Sequence, residues 1–180
     1  MKFKVKDSET QYKGRVFSVR RDEVELPDGK TAHLDIVEHN PSVSLLPLDD
    51  QGRIWFVRQY RHPAGEELLE LPAGVIEPGE SPEACARREI REEIEMAAEK
   101  IEKLGEFYLA PGYSTEYMYA YLATGLKKDP LQRDEDEFLA VEKIPAQKAL
   151  DMAAAGELKD VKSLAVLFLA RPYLLSLEKD

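Results

Sequence analysis

Cysteine is almost absent from this chain: Cys85 is the single one in 180 residues. An internal disulfide is therefore impossible, and the composition suits a reducing, cytoplasmic compartment. Long apolar runs are missing too. The longest, Leu164 to Ala170, is far too short to span a bilayer. The N-terminus, Met1-Lys2-Phe3-Lys4-Val5-Lys6, has charge but no apolar stretch behind it, so no signal peptide is expected. Positive charge is in deficit, with 25 Lys and Arg against 35 Asp and Glu and a net charge of −10. A surface of that sign repels phosphate backbones and anionic lipid, which argues against nucleic-acid and membrane partners. No repeat, low-complexity segment or Gly/Ser linker divides the chain, and its length is enough for one domain with a core of its own.

What is present reads first as β structure. Val16–Val19 and Val24–Leu26 lead to the turn Pro27-Asp28-Gly29, and Leu34–Val37 follows, so a hairpin is expected over residues 14–39. Asn40-Pro41 is a breaker, which sets residues 1–40 apart as N-terminal strands from residues 41–180. Val43–Leu46 and Ile54–Val57, joined by Asp49-Asp50-Gln51-Gly52, suggest a second hairpin whose strands are covered on both faces. Ser81-Pro82-Glu83 opens a helix with a capping serine, an early proline and an acid. Its buried stripe is expected at Ala86, Ile90, Ile94 and Ala97. Strands are expected at Phe107–Leu109, Tyr117–Leu122 and Phe138–Ile144. Helices are expected at Ala146–Ala155 and Val161–Leu177, the latter bent or broken at Pro172. Strands mixed with three helices in this order indicate a layered α/β or α+β sandwich.

Seven acids and three arginines crowd the stretch between Gly74 and Met96. On a helix, Glu89 and Glu93 lie one turn apart, Glu92 sits beside them, and Arg88 is four residues before Glu92. Converging carboxylates repel one another unless a cation sits among them, and hard divalent cations favour such oxygen ligands. By composition alone a charged helix is more often a solvated face laced with Glu–Arg pairs. The spacing decides against that reading. Gly74, Glu80, Arg88, Glu89, Ile90, Glu92, Glu93 and Met96 form Gly-x5-Glu-x7-Arg-Glu-apolar-x-Glu-Glu-x-x-apolar. Six specified residues at roughly one in fifteen give on the order of 10⁻⁷ per starting position by chance.

That pattern resembles the signature of the Nudix hydrolases. The second glycine of the signature is replaced by Glu95, which with Met96-Ala97-Ala98 is expected to let the helix run another turn. The resemblance covers most of the chain. Arg58-Gln59-Tyr60-Arg61, Glu70-Leu71-Pro72-Ala73-Gly74 and Ala110-Pro111-Gly112-Tyr113-Ser114-Thr115-Glu116 are similar to the ADP-ribose pyrophosphatase branch, with Pro111 fifteen residues after Met96. Asp134-Glu135-Asp136-Glu137 resembles that branch's acidic loop.

The resemblance implies an α/β/α sandwich with a mixed central sheet, plus N-terminal antiparallel strands that serve a homodimer and the substrate pocket. It implies a nucleoside diphosphate sugar as substrate and Mg²⁺, or Mn²⁺, as cofactor. Metal ligands would be Glu89, Glu93, the Ala73 carbonyl and Glu92, with Arg88 holding the cluster. Glu135, then Glu137, would take the proton from the attacking water, with Glu92 as the fallback. Arg61 would grip a phosphate, unless it only pairs with Glu66 or Glu67. Glu116 would lie near the terminal ribose, on the loop of Pro111 and Gly112. ADP-ribose would yield AMP and ribose 5-phosphate. A GDP-mannose type substrate, or a catalytically silent nucleotide sensor, stays open as an alternative.

Overall fold

The computed structural model describes residues 2–132 and 138–177. Two compact units emerge from it. The first comprises residues up to Pro41 together with Tyr108–Tyr117, and the second comprises Ser42–Phe107 and the residues from Met118 onward.

The first unit is an antiparallel sheet of β1 (Lys4–Lys13), β2 (Phe17–Glu25) and β3 (Thr31–His39), in that order. β2 and β3 run in register from Phe17 opposite His39 to Glu25 opposite Thr31. The Pro27-Asp28-Gly29 turn closes them, with Leu26 N–H donating to the Lys30 carbonyl at 2.8 Å and Gly29 at φ 81°. Phe17–Val19 and Val24–Glu25, from the two apolar runs that precede the turn, both lie on β2. β1 has no counterpart in the sequence reading, because all ten of its residues are exposed and its pattern carries no apolar face. Segment 108–117 joins β3 through Val37 N–H to Tyr113 O at 2.8 Å and Thr115 N–H to Val37 O at 2.9 Å.

The second unit holds two sheets. One is mixed, in the order β7-β4-β9-β8, from β4 (Ser42–Pro47), β7 (Ala73–Val75), β8 (Met96–Tyr108) and β9 (Tyr117–Lys128). β4 runs parallel to β9 and antiparallel to β7. The other, β10-β5-β6, is antiparallel, from β5 (Arg53–Arg61), β6 (Glu66–Glu70) and β10 (Leu139–Pro145). All six residues of β4 are buried. Val43 and Leu45 pack with Cys85, Ala86 and Ile90 of α1 (Pro82–Glu93), whereas Leu46 packs with Val166, Leu167 and Ala170 of α3 (Val161–Leu174). Helices therefore cover both faces of this strand, as an α/β/α sandwich requires. α2 (Ala146–Ala154) joins the α3 side.

The second hairpin does not form along its length. Asp49 makes the tight turn, and Leu48 bridges Ile54, but the strands then part into different sheets. Each is central in its own sheet, which satisfies its ladder with other neighbours and leaves both faces apolar. Ser81 caps α1 as its sequence predicts, its Oγ accepting from Ala84 N at 3.2 Å. The helix does not run on past Glu95. It stops at Glu93, Glu95 turns left-handed at φ 61°, and Ala97 lies on β8 instead of the buried stripe. Pro172 sits inside α3, which ends two residues later at Leu174.

Candidate active site

Two acids occupy the buried stripe of α1: Glu89 is 6% exposed and Glu93 4%. Acids are rarely so buried without a partner or a metal. Both lie against the backbone entering β7. Ala73 N–H donates to Glu93 Oε2 at 3.0 Å. Gly74 approaches Glu89 so closely that a Cβ there would sit 1.8 Å from Oε1, so a larger residue would have to displace that carboxylate.

Arg88 ties the surrounding carboxylates. Its Nε and Nη2 fork onto Glu80 at 3.0 Å each, while Nη1 donates to Glu89 Oε1 at 2.6 Å and Glu92 Oε2 at 2.9 Å. The Glu80 bond above all raises the Arg88 pKa, and in return Arg88 holds Glu80 below the usual carboxylate range. Glu80 also accepts from Glu77 N at 3.1 Å, which fixes the loop ahead of the helix. Cys85 packs beneath this cluster, and burial pushes its thiol up, with Glu89 adding to the effect.

Arg61 does not pair with Glu66 or Glu67. Its Nε and Nη2 fork onto both oxygens of Glu70 at 2.7 Å each. That bond leads the causes raising the Arg61 pKa, and Glu93 is close enough to contribute. Burial pushes the Glu70 carboxyl up, but Arg61 and Lys162 together outweigh it and leave it below its ordinary value.

Among the described residues, no three acidic, histidine or cysteine side chains already stand as a metal cage. Glu89 and Glu93 instead take protein donors. The donor chemistry still fits a hard divalent cation: two nearly buried carboxylates one turn apart, beside a backbone strand, with oxygen as the ligand atom throughout.

Pro111, Gly112 and Glu116 belong to the first unit. Tyr113 and Ser114 donate backbone N–H to Ala110 O at 3.1 and 2.9 Å, closing a tight loop around Pro111 and Gly112. Glu116 lies 3.9 Å from His39 Nδ1. Glu135 and Glu137 fall outside the described residues. The segment leading to them is tied to α1: Asp129 N–H donates to Glu95 O at 3.0 Å, Leu131 N–H to Arg91 O at 3.1 Å, and Arg91 Nε to Asp129 O at 3.1 Å.

Residues 38–165 match the family model described as NUDIX domain. The chain belongs to the Nudix family. Residues 3–33 match a second model, the nucleoside diphosphate sugar hydrolase N-terminal domain. The ADP-ribose pyrophosphatase of Bacillus subtilis (strain 168) is 36% identical over 154 residues, 84% of this chain and 83% of that protein. That of Mycobacterium tuberculosis (strain ATCC 25618 / H37Rv) is 38% identical over 167 residues, 91% of this chain and 80% of that protein. A crystal structure of an ADP compounds hydrolase superposes with a TM-score of 0.89 at 25% identity, covering all of this chain and 98% of the other.

The Nudix pattern explains its own first glycine here, through the Gly74–Glu89 contact. At the position of its second glycine, Glu95 adopts the left-handed conformation that a glycine would take freely. Sequence reasoning gave no role to Glu70, Lys162, Asp160 or Ser163. No local spacing could have joined Glu70 to residues 90 and more positions away. The nearest signal was an acid directly preceding Leu71-Pro72-Ala73-Gly74.

Proposed function

We propose that this Nudix protein hydrolyses the pyrophosphate of ADP-ribose to AMP and ribose 5-phosphate, using Mg²⁺, with Mn²⁺ able to substitute. The observation that carries the reading is the pair of nearly buried carboxylates, Glu89 and Glu93, beside β7 in a chain whose relatives include two ADP-ribose pyrophosphatases. Glu89, Glu93 and the Ala73 carbonyl would hold the metal, together with Glu92. When bound, a divalent ion supplies charge neutralisation of the diphosphate and a more acidic water.

The remaining work falls to the chain. Arg88 fixes Glu89 and Glu92 in orientation, so these two carboxylates are held in place before substrate arrives. Arg61 presents its guanidinium to a phosphate oxygen, and the planar fork suits that partner. Glu116, on the loop of Pro111 and Gly112, meets the terminal ribose. Glu135 accepts the proton of the attacking water, with Glu137 next in line and Glu92 the fallback. A loop carboxylate needs hydrogen-bond reach only in the closed complex.

The N-terminal strands, residues 1–40, form a homodimer and complete the substrate pocket, while residues 41–180 carry catalysis. Phe3, Val5, Tyr12, Val16, Phe17 and Leu34 are all exposed, the surface that a second copy would cover. A cytoplasmic setting agrees with the buried, unpaired thiol of Cys85. No helix among the described residues is long and apolar enough to cross a membrane.

The test is a panel of nucleoside diphosphate sugars with Mg²⁺, products identified by mass spectrometry. ADP-ribose is expected to turn over fastest, to AMP and ribose 5-phosphate. Preference for a GDP-linked sugar would move the protein to another substrate, and binding without turnover would make it a nucleotide sensor.

A further inference from the structure

Two side chains on the first turn of α3, Lys162 and Ser163, reach back across 92 residues of sequence to Glu70 and Leu71, in the segment that enters β7. Lys162 Nζ, whose side chain is 14% exposed, donates to Glu70 Oε2 at 2.5 Å and to Asp160 Oδ1 at 2.8 Å. Asp160 caps the helix, accepting from Ser163 N at 3.0 Å and Ser163 Oγ at 2.5 Å. Ser163, fully buried, accepts in turn from Leu71 N–H at 2.7 Å. Glu70 and Leu71 are thus clamped by one helix end, two residues ahead of Ala73.

The charges make this more than a clamp. Glu70 is 1% exposed and carries a carboxylate that two cations share, Arg61 and Lys162. Arg61 is the exposed partner, with a side chain 41% accessible. Its Nε and Nη2 are spent on Glu70, so the N–H groups of Nη1 face away from that carboxylate. Were Arg61 the sole partner of Glu70, the pair would be neutral and would offer an anion little field. Lys162 shares the Glu70 charge, so that carboxylate does not draw on Arg61 alone. Asp160, bonded to Lys162, brings the four groups to a net charge of zero, in an alternating row whose Arg61 end is positive.

We propose that Lys162 is a positioning residue for the diphosphate grip: by sharing Glu70 with Arg61, it keeps the Arg61 fork fixed and its positive charge available to the substrate's phosphates. This rests on the reading above that Arg61 meets a diphosphate. Lys162 acts through Arg61 and touches no substrate.

The experiment has a binding arm and a turnover arm. In EDTA, calorimetry measures ADP binding to the full chain; with Mg²⁺, steady-state kinetics measures ADP-ribose. Lys162→Met keeps the aliphatic stem and removes the charge. It is expected to raise the Kd for ADP and the KM for ADP-ribose by about tenfold, the order for loosening one charge-assisted contact between Arg61 and the anion. kcat is expected to stay within about threefold, and Lys162→Arg to restore binding. Arg61→Ala with Lys162→Met is expected to bind no worse than Arg61→Ala alone, because a residue acting through another has nothing left to act on. If Lys162→Met melts too low to assay, Lys162→Gln carries the same expected loss. Unchanged ADP affinity in these variants, absence of ADP binding by the wild type, or multiplying losses in the double variant would each overturn the proposal. Failure of the wild type to hydrolyse ADP-ribose while ADP binding follows the expected order would overturn the proposed substrate and leave Lys162 in its role.

Discussion

Gly74 and Glu89 are in contact: the missing side chain of the first makes room for the carboxylate of the second, which would otherwise lie 1.8 Å from a Cβ. Gly74→Ala therefore has to displace Glu89 or bend β7. Overpacking of this kind costs about 1–3 kcal/mol, and the displaced group is a proposed metal ligand. Thermal melts are expected to show a lowered Tm, and kcat for ADP-ribose is expected to fall at least ~10²-fold, the scale of losing one strong electrostatic contact. An active, equally stable Gly74→Ala would show that Glu89 is free to sit elsewhere.

Glu95 pays for ending α1. Its left-handed backbone puts its carbonyl on Asp129 N–H, which turns the chain from β9 back to the helix end. Such a conformation costs a non-glycine residue about 1–2 kcal/mol, partly offset in glycine by about 0.5–1 kcal/mol of chain entropy. Glu95→Gly is expected to raise Tm by about 1–4 °C, and Glu95→Val to lower it. A drop in Tm for Glu95→Gly would mean that the Glu95 side chain makes a contact worth more than the backbone strain.

Acid stability is expected to depend on Glu70 and Glu80. Their carboxyls are held below the ordinary range in the folded protein, Glu70 because Arg61 and Lys162 outweigh its burial, and Glu80 chiefly because of Arg88. A depressed folded pKa gives stability that is present above the unfolded value, about 4.3 for Glu. It is lost as pH falls through the lower folded value. Tm is therefore expected to be level near neutrality and to fall below about pH 4.3. Glu70→Gln is expected to lower Tm most at neutral pH, with the gap to wild type closing toward pH 3. A gap that stays constant with pH would mean that Glu70 acts through packing alone.

The N-terminal sheet is expected to bury its exposed aromatics against a second copy. Light scattering at micromolar concentration should give about twice the chain mass of 20.4 kDa. A single-chain mass would leave Phe3, Tyr12 and Phe17 in water and remove the dimer.

Helix α1 was legible from sequence because its determinants are local: Ser81 and Pro82 start it, and Ile90 and Ala86 mark its buried side. Its end was not, since a glutamate at φ 61° looks like any helix former until Asp129 is seen to need its carbonyl. β1 carried no signal, as a strand exposed on both faces has no period to read. The Asp49 turn was visible, but a turn cannot say whether the strands it joins stay paired, and β4 and β5 each found other neighbours. The acids and Arg88 were visible through their spacing. The Glu70–Lys162 contact spans 92 residues and exists only once α3 has packed on its sheet.

Whether Glu93 belongs to a metal site that hydrolyses a diphosphate is tested most directly by comparing ADP-ribose turnover by wild type and Glu93→Gln, each with Mg²⁺ and with EDTA. Wild type with Mg²⁺ is expected to release AMP and ribose 5-phosphate, EDTA to abolish that release, and Glu93→Gln to lose at least ~10²-fold in kcat while keeping its fold. Full activity in EDTA, or near-normal turnover by Glu93→Gln, would contradict the account.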